Sequence, residues 1–268
     1  MSRIEQCLQK LQAEGRKALV PYIVAGDPSL DFTVPMMHEL VKQGADIIEL
    51  GLPFSDPMAE GPVIQLAHER ALEQQSSLSK AMSMVAQFRQ QDQSTPVVLM
   101  GYANPVFHMG YNVFAQRASE AGVDGLLTVD MPPEESAELN TELKAVGIDS
   151  IYLIAPTTTE ARIRSISDQA TGYLYYVSLK GVTGAGHLDI ASVEEKLQQI
   201  KAITQLPIMV GFGIKDAESA RAIAAVAEGV VVGSALVSKV AALVVEGETD
   251  IPAKAAQLIG SMRTAMDA

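Results

Sequence analysis

The chain has 268 residues, of which 48% are hydrophobic and 19% are charged. This composition excludes a disordered chain and allows a sizeable core, in one large α/β domain or in two small ones. The formal net charge of −12 argues against a nucleic-acid partner, whose phosphates require a basic face, and the single cysteine, Cys7, excludes an internal disulfide and a multi-cysteine metal site.

The first predicted element is an amphipathic helix in the opening residues MSRIEQCLQKLQAEG, with Ile4, Leu8 and Leu11 on one face. A secretory signal would need a continuous apolar stretch here. The longest apolar runs, such as GVVVGSALV, are far shorter than the roughly 20 residues of a membrane helix. We therefore expect a soluble cytoplasmic protein that does not bind a membrane, and we expect Cys7 to be a small buried residue of this helix.

Eight short aliphatic or β-branched runs then follow one another along the chain. They are ALVPYIVA (18–25), DIIELG (46–51), PVVLMGY (96–102), DGLLTV (124–129), DSIYLI (149–154), YLYYVSL (173–179), PIMVGFG (207–213) and GVVVG (229–233). Such nearly continuous apolar runs are typical of parallel strands that are buried on both faces. Amphipathic helical patterns lie between them, and many of these patterns end at glycine.

Eight β/α units in about 250 residues match the size of a (β/α)8 barrel. A doubly wound sheet is the alternative, but even units without a linker or a composition shift favour closure. We predict an α/β fold with a single domain, residues 1–268, which is a TIM barrel with an extra N-terminal helix. Active sites of such barrels lie in the loops after the strands, and two of these loops are long, at about 52–62 and 180–190.

The second run ends in a carboxylate, Glu49, within IELGLPFSDPMAEGP (48–62). Strand alternation turns its side chain away from those of Ile48 and Leu50, so it points either into the barrel mouth or toward the helix layer. An acid in the barrel mouth would have its pKa raised toward a range useful for proton transfer. An ion pair at the barrel rim is the alternative, and we favour the catalytic role.

The loop after Glu49 carries two further acids, Asp56 and Glu60, among prolines that exclude a regular helix. Asp56 is equally well explained as a turn residue. Glu60 precedes a helix that we predict to begin at Pro62 or Val63, where an acid also interacts favourably with the helix N-terminus.

Glycine clusters follow the last three runs, in GVTGAG (181–186), GFG (211–213) and GS (233–234). Barrels frequently bind phosphate with the loops after strands 7 and 8 and with a helix N-terminus. We expect Gly213 to allow close approach of a ligand and Ser234 to cap the next helix. The alternative is that these glycines only form turns. No G-x-G-x-x-G with a following acid is present, so a dinucleotide site is not indicated.

Large side chains near the strand ends together suit an aromatic ligand, although barrel packing explains each one alone. They are Tyr22, Met100, Tyr102, Leu127, Leu153, Tyr175 and Phe212. The four histidines show no metal-ligand spacing, and we predict no metal site.

The stretch IELGLPFSDPMAEGP closely resembles the signature of the tryptophan synthase alpha chain family. The motifs GDPS, GYANPVF, VDMPPEES, GVTGA, GFGI and VVVGSALV follow in the order of that family. The resemblance implies a barrel whose bottom is closed by the N-terminal helix. It also implies a lyase of tryptophan biosynthesis that cleaves indole-3-glycerol phosphate to indole and glyceraldehyde 3-phosphate.

The same resemblance implies that Glu49 is the catalytic acid and base, and that Glu60 accepts a hydrogen bond from the indole N–H. The family usually has Asp at position 60, and the extra methylene moves the carboxylate by about one ångström, which matters for a positioned group. We hypothesise that the loop shifts and that Glu60 keeps the role. The implied substrate-binding residues are Tyr22, Ile64, Met100, Tyr102, Leu127, Tyr175, Thr183, Gly184, Phe212, Gly213, Gly233 and Ser234.

The resemblance further implies a partner β chain that holds pyridoxal phosphate, an α2β2 tetramer, and no cofactor in this chain. The implied partner-facing residues are Pro53, Asp56, Pro57, Asn104, Phe107, His108 and Pro132. Two other functions stay open from the residues. One is a non-catalytic subunit that activates a β chain, and the other is a different phosphate-binding barrel enzyme, against which the stretch 48–62 argues.

Overall fold

A computed structural model of the chain describes residues 1–178, 190–211 and 213–268. Eight parallel strands form a closed barrel in chain order. They are β1 (Ala18–Val24), β2 (Ile48–Gly51), β3 (Val97–Gly101), β4 (Gly125–Thr128), β5 (Asp149–Ile154), β6 (Leu174–Val177), β7 (Ile208–Gly211) and β8 (Gly229–Val232). Each predicted run contains one strand, and β8 pairs with β1. The closed TIM barrel is therefore confirmed and the doubly wound sheet is excluded.

Helices surround the barrel in the described part of the chain. They are α1 (Arg3–Ala13), α2 (Thr33–Lys42), α3 (Pro62–Glu73), α4 (Leu78–Phe88), α5 (Ala103–Met109), α6 (Tyr111–Ala121), α7 (Ala137–Ala145), α8 (Glu160–Ser167), α9 (Ile190–Lys201), α10 (Ala217–Ala224), α11 (Ser234–Val245) and α12 (Ile251–Met266). Helix α3 begins at Pro62 as predicted, since proline suits the first turn of a helix. None of these helices is long and apolar enough to cross a membrane.

The sequence patterns do not single out α4, α5 or α12. Helix α5 has the sequence ANPVFHM and begins within the motif GYANPVF. Its proline, Pro105, lies in the first helical turn, where no intrahelical donor is lost. Helix α5 follows β3 directly and therefore begins at the barrel rim.

Alternate strand residues fill the barrel interior. This interior cluster contains Ala18, Val20, Ile47, Val98, Leu127, Ile151, Tyr173, Tyr175, Met209 and Val231, together with Ile4 and Leu11 of α1. A Cβ added at Gly125, the first residue of β4, would lie 3.1 Å from Ile4 Cδ1. Helix α1 therefore closes the barrel at the N-terminal ends of the strands, as the resemblance implies. Cys7 is partly buried against the same cluster, and burial raises the pKa of its thiol to about 12.

A buried ion-pair network fixes α1 and α4 at that closed end. The Asp124 carboxylate, 4% exposed, accepts from Arg3 Nη1 at 2.7 Å and from Arg89 Nη2 at 2.6 Å. It also accepts the backbone N–H of Val97 at 2.8 Å. The buried charge of the Asp124 carboxylate is therefore compensated by these three donors. The loops with Glu49 and Glu60 lie at the opposite end of the barrel.

Candidate active site

Glu49 lies inside the barrel and is fully buried. Its neighbours Ile48 and Leu50 pack outward into the layer between barrel and helices, whereas Ile47 belongs to the interior cluster. Of the two orientations that the sequence left open, the structure therefore shows the one into the barrel. The register places Glu49 beside Tyr22 of β1 and Val98 of β3.

Tyr173, which the sequence analysis did not select, is the hydrogen-bond partner of Glu49. Its hydroxyl donates to Glu49 Oε1 at 2.7 Å, while Glu49 Oε2 has no hydrogen-bond partner among the described residues. Burial raises the pKa of Glu49 to about 7. The hydrogen bond from Tyr173 lowers this pKa in part, and the charge of Glu60 raises it by a smaller amount. Strand alternation from Tyr175 is the sequence signal that could have placed Tyr173 on the same interior face.

Glu60 is the second carboxylate near this point. It ends the loop before α3, where its backbone N–H donates to Pro57 O at 3.0 Å and its carbonyl accepts from Gln65 Nε2 at 2.8 Å. Burial raises the pKa of Glu60 to about 7. Two carboxyls whose pKa values both lie near 7 are thus brought to one end of the barrel, and their charges interact.

Three contacts with side chains of the scaffold hold the loop between Glu49 and Glu60. Ala59 N–H donates to Tyr102 Oη at 2.9 Å, and the ring of Phe54 stacks on that of Tyr102 with centroids 4.8 Å apart. The Phe54 N–H donates to His68 Nδ1 at 3.0 Å. These contacts position Glu60 by tying its loop to the end of β3 and to α3.

Apolar side chains form the walls beside the two acids. Tyr22 and Ile64 belong to one small buried cluster, and Met100 is partly buried against it and against the interior cluster. Leu127 and Tyr175 lie in the interior cluster itself, with Leu153 partly buried beside it. A Cβ at Gly211 would collide with the Tyr175 hydroxyl, so that glycine makes room for the tyrosine.

The predicted phosphate residues are only partly as expected. Gly213 has φ +79°, a conformation that favours glycine. Gly233 occupies the N-cap position of α11, and Ser234 is the first residue of that helix. Ser234 therefore does not cap the helix, which corrects the prediction, but the first amide N–H groups of α11 still have no intrahelical acceptor and suit an anion. Thr183, Gly184 and Phe212 lie outside the described residues.

The predicted partner-facing residues differ in exposure. Asp56, Asn104, Phe107 and His108 are exposed, and Phe107 is 70% exposed. Pro57 and Pro132 are half-buried. Pro53 is buried within the chain, so it offers little surface to a partner.

His68 is a second residue that the sequence analysis passed over. It lies on α3, is buried, and contacts both the loop and Tyr22. Its spacing of eight residues after Glu60 carries no motif, so the sequence offered no signal for it. The described residues contain no group of three or more His, Cys, Asp or Glu side chains that could hold a metal ion.

Comparison with known proteins shows what the whole chain is similar to. The family model of the tryptophan synthase alpha chain matches residues 8–267. The tryptophan synthase alpha chains of Thioalkalivibrio sulfidiphilus and Methylococcus capsulatus are 58% and 55% identical, over the whole of both chains in each case. The alpha subunit structure from Legionella pneumophila has a TM-score of 0.93 at 48% identity, covering 100% of this chain and 99% of that one. A tryptophan synthase structure from Mycobacterium tuberculosis in an aminoacrylate-bound form has a TM-score of 0.88 at 30% identity, covering 99% and 100%.

Proposed function

Because the chain belongs to the tryptophan synthase alpha chain family, we propose that Glu49 and Glu60 perform the proton transfer and the charge stabilisation of its reaction. The chain is a lyase of tryptophan biosynthesis that cleaves indole-3-glycerol phosphate to indole and glyceraldehyde 3-phosphate. What the two carboxylates contribute follows from that chemistry and from their surroundings.

The reaction breaks the bond between indole C3 and the adjacent glycerol carbon. Indole C3 gains a proton, and the hydroxyl on the glycerol carbon loses one as this carbon becomes the aldehyde of glyceraldehyde 3-phosphate. One group that both gives and takes a proton near neutral pH serves both transfers. Glu49 suits this role because its pKa is about 7 and because its carboxylate is shielded from water by the barrel interior.

Glu60 supplies the stabilising charge in this proposal. Protonation at C3 turns the indole into an indolenine cation, whose N–H is a hydrogen-bond donor for a carboxylate. A carboxylate in a site of low dielectric stabilises such a cation more strongly than one in water does. Glu60 must be ionised for this, so activity requires a pH near or above its pKa of about 7.

The substrate's phosphate binds at the N-terminus of α11. The amide N–H groups of Ser234 and Ala235 precede the first hydrogen bonds of the helix, which run from Leu236 and Val237 to Gly233 O, and they lie at the positive end of the helix dipole. Gly213 on the neighbouring loop, with φ +79°, allows the phosphate to approach the backbone. A backbone site of this kind suits a chain of net charge −12, because it needs no basic surface.

The observation that supports the proposal best is the fully buried Glu49 carboxylate, with a pKa of about 7, at the barrel end that also carries Glu60. The test measures indole release from indole-3-glycerol phosphate by purified chain with Glu60→Ala. We expect kcat to fall by about 10²-fold or more, as for the loss of one electrostatic stabiliser. The exposed Glu195→Gln on α9 is the control, and near-normal indole release by Glu60→Ala would contradict the role.

We further propose a β-chain partner, with pyridoxal phosphate bound by that partner and an α2β2 assembly in the cytoplasm. Two large apolar side chains support it, because Met58 and Phe107 are 86% and 70% exposed on the two segments that carry the implied interface. Exposed apolar surface on segments implied in an interface suits contact with a partner. Asp56, Asn104 and His108 supply exposed polar groups on the same two segments.

A further inference from the structure

Neighbouring residues position the hydroxyl of Tyr22 in the barrel mouth. The side chain is 5% exposed and stands on β1 beside Glu49. A Cβ added at Gly51 would collide with the Tyr22 hydroxyl. Because residues two apart on a strand share a face, the hydroxyl occupies the space above Gly51 on the Glu49 face of β2. The phenol oxygen therefore lies on the same side as the catalytic acid.

His68 determines which way the Tyr22 hydroxyl points. The His68 Nδ1 accepts the Phe54 N–H at 3.0 Å, and burial lowers the pKa of His68 to about 4. The imidazole is therefore neutral near pH 7, and the hydrogen-bond network assigns its one proton to Nε2. Nε2 lies 3.4 Å from Tyr22 Oη, so His68 donates and the tyrosine oxygen accepts. The phenol's own proton remains for another acceptor.

Glu60 is the acceptor that fits. Among the described residues, the Tyr22 hydroxyl donates to no acceptor, and no side chain donates a hydrogen bond to the Glu60 carboxylate. Burial and then the charges of Glu60 and Glu49, in that order, raise the pKa of Tyr22. Glu49 already accepts from Tyr173. The titratable groups around the phenol are Glu49 on β2, Glu60 before α3, His68 on α3, Tyr102 after β3 and Tyr175 on β6.

We propose that Tyr22, oriented by His68, is a positioning residue of the lyase reaction and donates its phenol hydrogen bond to the Glu60 carboxylate when substrate fills the pocket. The inference rests on the proposed function of Glu60. The bond keeps Glu60 ionised and directs its second oxygen to the indole nitrogen. A glutamate reaches about one ångström farther than an aspartate, and we infer that this reach and the tyrosine hydroxyl work as a pair.

The test is a double-mutant cycle of Tyr22→Phe and Glu60→Asp on the full-length chain, with indole release followed across pH 5.5 to about 9. We expect Tyr22→Phe to lower kcat about tenfold with less than about twofold change in KM, as for the loss of a hydrogen bond to a charged group. The acid limb of kcat should move to higher pH, because Glu60 loses a donor to its ionised form. In the Glu60→Asp background the same substitution should change kcat by less than about twofold.

The matched control is Tyr176→Phe, which removes a buried phenol on the helix-facing side of β6, where burial is the sole cause of the raised pKa. It should leave the acid limb in place. An unmoved limb for Tyr22→Phe, or an equal effect in both Glu60 and Glu60→Asp backgrounds, would overturn the inference. If indole release also survives Glu49→Gln, the proposed function fails together with it; if Glu49→Gln abolishes release while the limb stays unmoved, this inference alone is wrong.

Discussion

Replacing Glu49 by glutamine tests whether burial holds this acid near neutrality. Glutamine has the same shape, and its amide oxygen still accepts the Tyr173 hydroxyl, which now lies 2.7 Å from Glu49 Oε1. The substitution therefore removes the titration and leaves the packing. Proton transfer is lost with it, and we expect indole release to fall by about 10²-fold or more.

The structure also gives the expected change in stability. The pKa of Glu49 is about 7 in the folded chain, against an ordinary value of 4.5. Between these values the unfolded chain has released a proton that the folded chain retains, so the free energy of unfolding falls as the pH rises through this window. A tenfold change in an ionisation constant corresponds to about 1.4 kcal/mol. The titration of Glu49 therefore lowers the free energy of unfolding by about 3 kcal/mol above pH 7 and by about 1 kcal/mol at pH 5.5, each relative to a pH at which both states are protonated.

Glu49→Gln removes this cost. We expect the difference in unfolding free energy between variant and wild type to grow by about 2 kcal/mol in favour of the variant between pH 5.5 and 8.5. Urea unfolding followed by circular dichroism measures it, since the chain has no tryptophan, and pH 5.5 stays above the sequence pI of about 4.8. Glu195→Gln, the exposed control, should show no such growth. A difference that is the same at both pH values would refute the argument that burial raises this pKa.

Two further predictions concern the surroundings of the site. Tyr173→Phe removes the donor that lowers the pKa of Glu49, so the alkaline limb of kcat/KM, which reflects loss of the proton that Glu49 gives to indole C3, should move to higher pH; an alkaline limb that stays or moves to lower pH would contradict the contact. Phe107→Ser removes a side chain that is 70% exposed, and we expect it to weaken binding to a tryptophan synthase β chain about tenfold in sedimentation experiments. The control Val245→Ser, at a side chain 87% exposed at the end of α11, should bind normally, and equal binding by both variants would argue against the proposed surface.

Local patterns in the sequence were sufficient for the barrel and for one catalytic candidate. Eight apolar runs became eight strands, because a parallel strand buried on both faces has to be apolar along its whole length. The acid at the end of the second run was recognisable for the same reason, since a carboxylate interrupts that pattern. Helices α4, α5 and α12 were not singled out by the sequence patterns.

Tertiary structure decided what surrounds these residues. Alternation told us that Glu49 faces opposite to its neighbours, but only barrel closure determined that this face is the interior. Its partner Tyr173 lies 124 positions away along the chain, and no local periodicity connects two such residues. The contact of Tyr22 with His68, and the space above Gly51 that admits it, likewise arise only where β1, β2 and α3 meet. Since a pKa depends on how completely water is excluded from a group, the values of about 7 for Glu49 and Glu60 became accessible only with the folded barrel.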